Sequence, residues 1–347
     1  MRQGDLFSFN QTNQTDVAVV TVDGLLYAQT ELTSGFILAI LSPITVGANV
    51  LLIMAIFKDP LHYFKTPTTH FVLGLSIADV LCGFFVEPFF AMFYLCRYFG
   101  ASGKIQSITR VLFTVGSIIS TASLNSSFVM VLLLSVAQLI AIEWPYKYKT
   151  LVRKESAIAF VVVTWVYFTI FSFLPMLGIQ LQIFFKVNVI LHATLISLVL
   201  STVQILVYRS YRRTRLLRQK SRQLSAQFAE SHINSDLPKD AKKRLATTRR
   251  TRSKLFDRNF TIMTFYLAAI LLFTAFPHIS VFYVFVFKKT ASSEEEQLLN
   301  VLLRITDLLL FTKAATDAFI FAWRLPTYRK SLQVILGGKN LKLETDV

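Results

Sequence analysis

The sequence predicts an all-α integral membrane protein: a seven-transmembrane helix bundle with a short cytoplasmic amphipathic helix. Three observations predict it. The chain is 54% hydrophobic with a mean hydropathy of +0.53 and only 16% charged residues, where a soluble domain carries about 25% charge. Seven apolar segments recur along it, each near or above the roughly 20 residues that cross a bilayer. The basic residues are sorted between alternate loops, with about 27 of the 36 Lys and Arg on one side when Arg258, at the edge of the sixth span, is counted.

Residues 1–34 form a polar tail. Its acids Asp5, Asp16, Asp23 and Glu31 face a single Arg2. Two acceptor sequons, at Asn10 and Asn13, predict glycosylation of an extracellular tail. No basic start followed by an apolar core and a small-residue cleavage site is present, so the first span is expected to act as the anchor.

The apolar segments run at about 35–57, 68–95, 106–140, 156–178, 186–208, 257–287 and 298–323. Together, residues 35–323 make up the membrane domain. With the N-terminus outside, the inner segments are 58–67, 141–155, 209–256 and the tail after Trp323. These hold the basic excess, as the positive-inside rule requires. The C-terminus is therefore expected on the cytoplasmic side, and the plasma membrane is the expected location.

The loop 209–256 is the longest and most basic, opening with Arg209, Arg212 and Arg213 and closing with Arg252 and Lys254. Its start continues the fifth helix, and Glu230 to Lys239 reads as a break. Its charge suits acidic membrane lipid or a cytosolic partner, each basic residue near an anionic surface contributing about 1 kcal/mol. In a soluble protein a net charge of +16 would suggest nucleic acid. Here it reports topology, and no nucleic-acid partner is expected. Residues 324–347 form the amphipathic helix and tail.

No nucleophile motif, phosphate-binding glycine loop or metal-ligand spacing appears, so no enzyme activity, catalytic residue, cofactor or metal is expected. The two cysteines, Cys82 and Cys96, would lie about 21 Å apart on one helix and could not bridge.

Motifs in register along the chain carry a resemblance. Gly47-Ala48-Asn49-Val50 lies in the first span and Leu75-Ser76-Ile77-Ala78-Asp79 in the second, with Pro88 nine residues on. The third ends in Ser135-Val136-Ala137-Gln138-Leu139-Ile140-Ala141-Ile142, then Trp144-Pro145. Trp165 and Pro175 mark the fourth and Pro277 the sixth. Asp317-Ala318-Phe319-Ile320-Phe321 closes the seventh, before Trp323-Arg324-Leu325-Pro326. The pattern resembles rhodopsin-like (class A) G-protein-coupled receptors over nearly the whole chain. The resemblance implies an extracellular ligand, a heterotrimeric G protein or arrestin as cytosolic partner, and activation by a population shift.

The departures are specific. The family's Asp-Arg-Tyr triplet is Ala137-Gln138-Leu139, and its Asn/Asp-Pro-x-x-Tyr ends in Phe321. The sixth-helix Trp is Ala275, and Leu200 stands at the fifth-helix proline. The third-helix cysteine of the usual outer disulfide is Phe113. Gln138, Tyr208, Asp257 and Phe321 are the expected coupling residues. Asp257 matches an acidic lock partner, without an Arg to hold.

Ionisable groups inside spans cost roughly 2.5–3.5 kcal/mol on insertion and mark function. Asp79, Lys313 and Asp317 are the key set, and Lys313 and Asp317, four apart, share a helix face. In the family, Asp79, Ser127 and the positions of Lys313 and Asp317 surround a sodium ion. Here the Lys313 ammonium is expected to replace that ion as a tethered cation between Asp79 and Asp317; pairing with Asp317 alone, as a structural tie, is the alternative. Glu87, Ser120, His192, His278, Arg304 and Asp307 are expected to line an outer polar ligand pocket. Pairing of Glu87 and Asp307 with Arg304 or Arg110 is the structural alternative.

Ser120 stands where amine receptors carry an Asp, which disfavours an amine ligand. Retinal would need a Lys at Phe311; Lys313 lies about 200° further round the helix, so an opsin-like photoreceptor is a remote alternative. The nearer alternative is a seven-span binding or scaffold protein that no longer couples to G protein, since Gln138 carries no charge.

Overall fold

Apolar runs this long fold as helices because only a helix satisfies every backbone N–H and C=O within one segment. The computed structural model describes residues 22–60, 64–231, 240–288 and 292–337. The sequons at Asn10 and Asn13 lie outside the described residues. All regular structure among those described is helical. We label the long helices α1 (Val22–Lys58), α2 (Thr68–Tyr98), α3 (Lys104–Glu143), α4 (Lys154–Leu177), α5 (Leu181–Leu217, running on to Ser231), α6 (Asp240–Phe287) and α7 (Ser293–Arg324). A two-turn helix, Pro145–Leu151, lies between α3 and α4, and α8 (Pro326–Gly337) ends the described chain.

Two bounds depart from the sequence reading. α1 starts at Val22, inside the tail expected through residue 34, and its Glu31 is buried and paired with Arg97 of α2 at 3.2 Å. Among the described residues, six helices, α1 to α6, contain stretches apolar and long enough to cross a membrane. α7 is as long as the others but carries Arg304, Asp307, Lys313 and Asp317 along its length, which lowers its apolarity. It packs between α1 and α6 all the same.

α3 runs through the middle and touches α2, α4, α5 and α6. The core around it contains Leu75, Met130, Leu134, Leu200, Met263, Leu267, Leu271 and Phe321, all under 2% exposed. The outward faces are equally apolar: Ile40, Phe57, Val163, Ile170, Leu198 and Phe273 are exposed, as suits a surface solvated by lipid. Phe276, beside Pro277, is exposed too, while Ala275 fills the core position. Phe276 therefore supplies no bulk where the family keeps its tryptophan.

Two helices contain a π turn, Cys82–Val86 in α2 and Asn188–Leu195 in α5. Such a turn inserts one extra residue and rotates everything beyond it by about 100°. In α2 the turn precedes Pro88, which has no N–H to give, and Ser42 of α1 donates to the carbonyl of Gly83 at 2.8 Å. A Cβ on Gly83 would meet Thr45 at 2.8 Å, so the α1–α2 approach requires glycine. In α5 the turn distorts the helix where no proline is available.

Candidate functional site

The middle of the bundle holds a buried charged cluster. Lys313 of α7 lies 2.5 Å from Asp317 Oδ2, one turn on, and 3.8 Å from Asp79 Oδ1 of α2. Its ammonium also donates to Ser127 Oγ of α3. All four residues are at most 2% exposed. Both carboxylates are within ion-pair reach, but only Asp317 is at hydrogen-bond distance. Beside the cluster, Asn49 of α1 donates to the backbone carbonyls of Thr45 at 3.0 Å and Ala314 at 3.1 Å, which ties α1 to α7. The cluster thus joins α2, α3 and α7, and Asn49 adds α1.

Lys313 is therefore committed. Phe311, at the position a retinal-binding lysine would need, packs instead edge-on against Phe90 at 5.8 Å.

Toward the expected outer end, two polar groups form. His278 Nδ1 of α6 lies 3.2 Å from Asp307 Oδ1 of α7, and the His278 ring stacks on Phe282. Arg304 of α7 donates to the Tyr94 hydroxyl, with its guanidinium 4.2 Å from the Tyr94 ring centre and 5.8 Å from that of Phe113. Phe113 in turn stacks on Phe93 at 4.3 Å and Phe90 at 4.6 Å. The position of the missing cysteine thus carries an aromatic brace between α2 and α3. Both cysteines of the chain are free.

Two residues expected in this pocket face other helices, and each lies at a π turn. Glu87 follows the α2 turn and faces α1, where the Thr45 hydroxyl is 3.2 and 3.3 Å from its two oxygens. His192 lies within the α5 turn and faces α4: its Nε2 is 2.9 Å from the Tyr167 hydroxyl, and Phe168 and Phe171 pack edge-on against its ring. Asn188 connects this group to α3 by accepting from Asn125 at 3.0 Å. Ser120 is buried on α3. Of the six, His278 and Asp307 meet between α6 and α7, while Arg304, three residues before Asp307, turns to Tyr94 of α2.

At the opposite end, side-chain hydrogen bonds hold α3. Gln138 Nε2 donates to Thr261 Oγ1 of α6 at 2.5 Å, in a fully buried contact. Gln204 of α5 donates to Ser135 of α3 at 2.7 Å, and Ser210 of α5 donates to Glu143. Arg324, at the end of α7, covers Trp323 at 3.8 Å and Tyr266 of α6 at 4.4 Å. Phe321 is buried in the core. The side chain of Asp257 lies outside the described residues. Tyr208, expected as a coupling residue, is 56% exposed and lies beside α6. In α8 the Tyr328 side chain is buried, and burial pushes its phenol up to about 12.

Sequence reasoning missed Thr261, Gln204, Ser210 and Tyr167. Thr261 had a usable signal, standing one turn after Asp257 on the face where the family places its lock. The others are polar residues on apolar helices whose partners lie on different helices, so no spacing within one segment marks them.

The family model described as 7 transmembrane receptor (rhodopsin family) matches residues 48–321. The chain is 27% identical to the alpha-1A adrenergic receptor of Oryzias latipes over 146 residues, which are 42% of this chain and 29% of that receptor. It is 22% identical to the alpha-1A adrenergic receptor of Cavia porcellus over 144 residues, again 42% of this chain and 29% of the relative. The aligned part of the chain thus spans less than a third of the length of these relatives.

Proposed function

We propose, from the premise that this chain belongs to the rhodopsin family of seven-transmembrane receptors, that it binds an extracellular ligand and passes the signal to a cytosolic G protein. α7 serves as the seventh span despite its charges, since four ionisable groups on one helix are tolerable when they face partners within the bundle. The N-terminus is outside and the C-terminus inside, an orientation supported by the basic excess of the inner loops.

Ligand enters near His278 of α6 and Arg304 and Asp307 of α7, where a cation and an acid stand beside aromatic rings. The relatives are named adrenergic receptors, but Ser120 leaves no third-helix carboxylate for an amine. A ligand that presents its own polar or anionic group to Arg304 suits this chain better.

The observation that carries the coupling proposal is the Gln138–Thr261 bond. It joins α3 to α6 where the family uses a charged Arg. A neutral hydrogen bond contributes about 0.5–1.5 kcal/mol, and one to a charged group about 1.5–3 kcal/mol. The inner face is therefore held closed more weakly than by an ion pair, and the population of the open state rises accordingly.

Lys313 serves as a tethered cation. It stands in the cluster where the family holds sodium, and its charge offsets the two buried carboxylates without an exchangeable ion.

A binding or scaffold protein without G-protein coupling is the second reading, favoured by the absence of a charge at Gln138. The two readings separate in one experiment: basal G-protein activation by the native chain and by Gln138→Arg, at matched surface expression. Native signalling above mock-transfected cells supports the receptor. A silent native chain with an active Gln138→Arg chain supports the scaffold.

A further inference from the structure

A groove runs between α5 and α6 on the outward side of the bundle, toward the end that carries the basic loop. Its volume is about 950 Å³, enough for a lipid headgroup with part of a chain. Farther from the basic loop its lining is apolar, with Ile205, Phe265 and Leu272, and Gln204 beside its bond to Ser135. Nearer the loop it is lined by Tyr208, Arg209, Arg212 and Arg213, with Leu216 and Leu217 beyond them. Positions 209, 212 and 213 are spaced three and four apart, so the three arginines share one helix face. All three are exposed, and among the described residues none forms an ion pair.

We infer that this groove is a binding site for a polyanionic phospholipid of the phosphoinositide class, with its chain against Ile205 and Phe265 and its phosphates on Arg209, Arg212 and Arg213. The polarity runs the right way for an inner-leaflet lipid, apolar toward the membrane centre and cationic toward the basic loop. Guanidinium groups pair with phosphate oxygens through two parallel hydrogen bonds. Three of them on one helix face exceed what a single phosphodiester can engage, which selects a headgroup with several phosphates over phosphatidylserine. A lipid seated here would contact α5 and α6 together and bias their relative position.

The assignment to the inner leaflet rests on the N-outside orientation; binding itself does not. The test uses the full chain in phosphatidylcholine nanodiscs, titrated with fluorescent phosphatidylinositol bisphosphate or with phosphatidylserine. The native chain should bind the bisphosphate at least about tenfold tighter than phosphatidylserine. Arg209→Gln with Arg212→Gln should weaken it by roughly tenfold or more, while Arg215→Gln with Lys220→Gln, which removes equal charge outside the groove, should cost under about threefold. Ala269→Trp should block binding with every charge in place, since Ala269 lines the groove and is exposed. Equal affinity for the two lipids, or equal losses from the two charge-matched pairs, overturns the proposal. The lipid comparison needs no variant, so a misfolded mutant does not blunt it. Terminal tags stained in intact and permeabilised cells report the orientation separately.

Discussion

Gln138 of α3 donates its side-chain amide to the Thr261 hydroxyl of α6 across 2.5 Å, and both residues are at most 7% exposed. Removing the acceptor leaves a buried amide without that partner, at a cost of about 1–3 kcal/mol. Thr261→Val should therefore lower the melting temperature of the purified chain. It should also raise basal G-protein activity severalfold, because the lost bond belongs to the closed inner face. A stable variant with unchanged basal output would mean the bond is only structural.

Much of the bundle was legible in the sequence because apolar length reports directly on what a bilayer accepts. The Lys313–Asp317 pair was legible as well, since four residues along a helix bring two side chains onto one face. Glu87 and His192 were not, and for the same reason. Each was grouped by its place toward the outer end of its span, which fixes no direction, and a π turn lies just before Glu87 in α2 and around His192 in α5. Glu87 is turned to Thr45, and His192 to Tyr167. Tyr208 shows a different limit. A residue matched by motif position inherits an expected role, but its exposure depends on how α5 and α6 pack.

The aromatic brace predicts an unusual redox profile for this family. Phe113 stacks on Phe90 and Phe93 where a disulfide would anchor α3, and both cysteines are free. Reducing agent should leave the melting temperature unchanged. Each stacked pair contributes about 0.5–1.5 kcal/mol beyond its buried area, so Phe113→Ala should lower the melting temperature by several degrees. Phe113→Tyr should retain most of the stability. A melting temperature that falls in dithiothreitol would contradict this account.

Arg324 provides a second restraint on α6, through its place over the Tyr266 ring. A cation over an aromatic face contributes about 0.5–1 kcal/mol at exposed sites. Outward movement of α6 would break the contact with Tyr266 while leaving that with Trp323 on the same helix. Arg324→Ala should raise basal activity about two- to fivefold, with Arg324→Lys intermediate. Tyr266→Leu should reproduce the effect and add little in combination with Arg324→Ala, since the two residues share one interaction. Additive effects in the double variant would show that they act separately.

The Lys313 cluster makes the sharpest prediction, because a tethered cation and a diffusible one answer differently to salt. In the native chain the ammonium lies 2.5 Å from Asp317 and 3.8 Å from Asp79, so replacing sodium chloride by choline chloride should not shift the melting temperature. Lys313→Ala leaves two buried carboxylates without their counter-charge, and breaking a buried pair in this way costs about 3–5 kcal/mol. The variant should melt lower in choline and recover part of the loss in sodium, since the cavity then exposes Asp79, Asp317 and Ser127 to a small cation. Asp317→Asn combined with Lys313→Met removes both members of the closest pair and should cost less than Lys313→Met alone. If the native chain is stabilised by sodium, Lys313 does not fill the ion's place. If Lys313→Ala expresses normally and remains indifferent to sodium, Lys313 is a structural partner of Asp317 and nothing more.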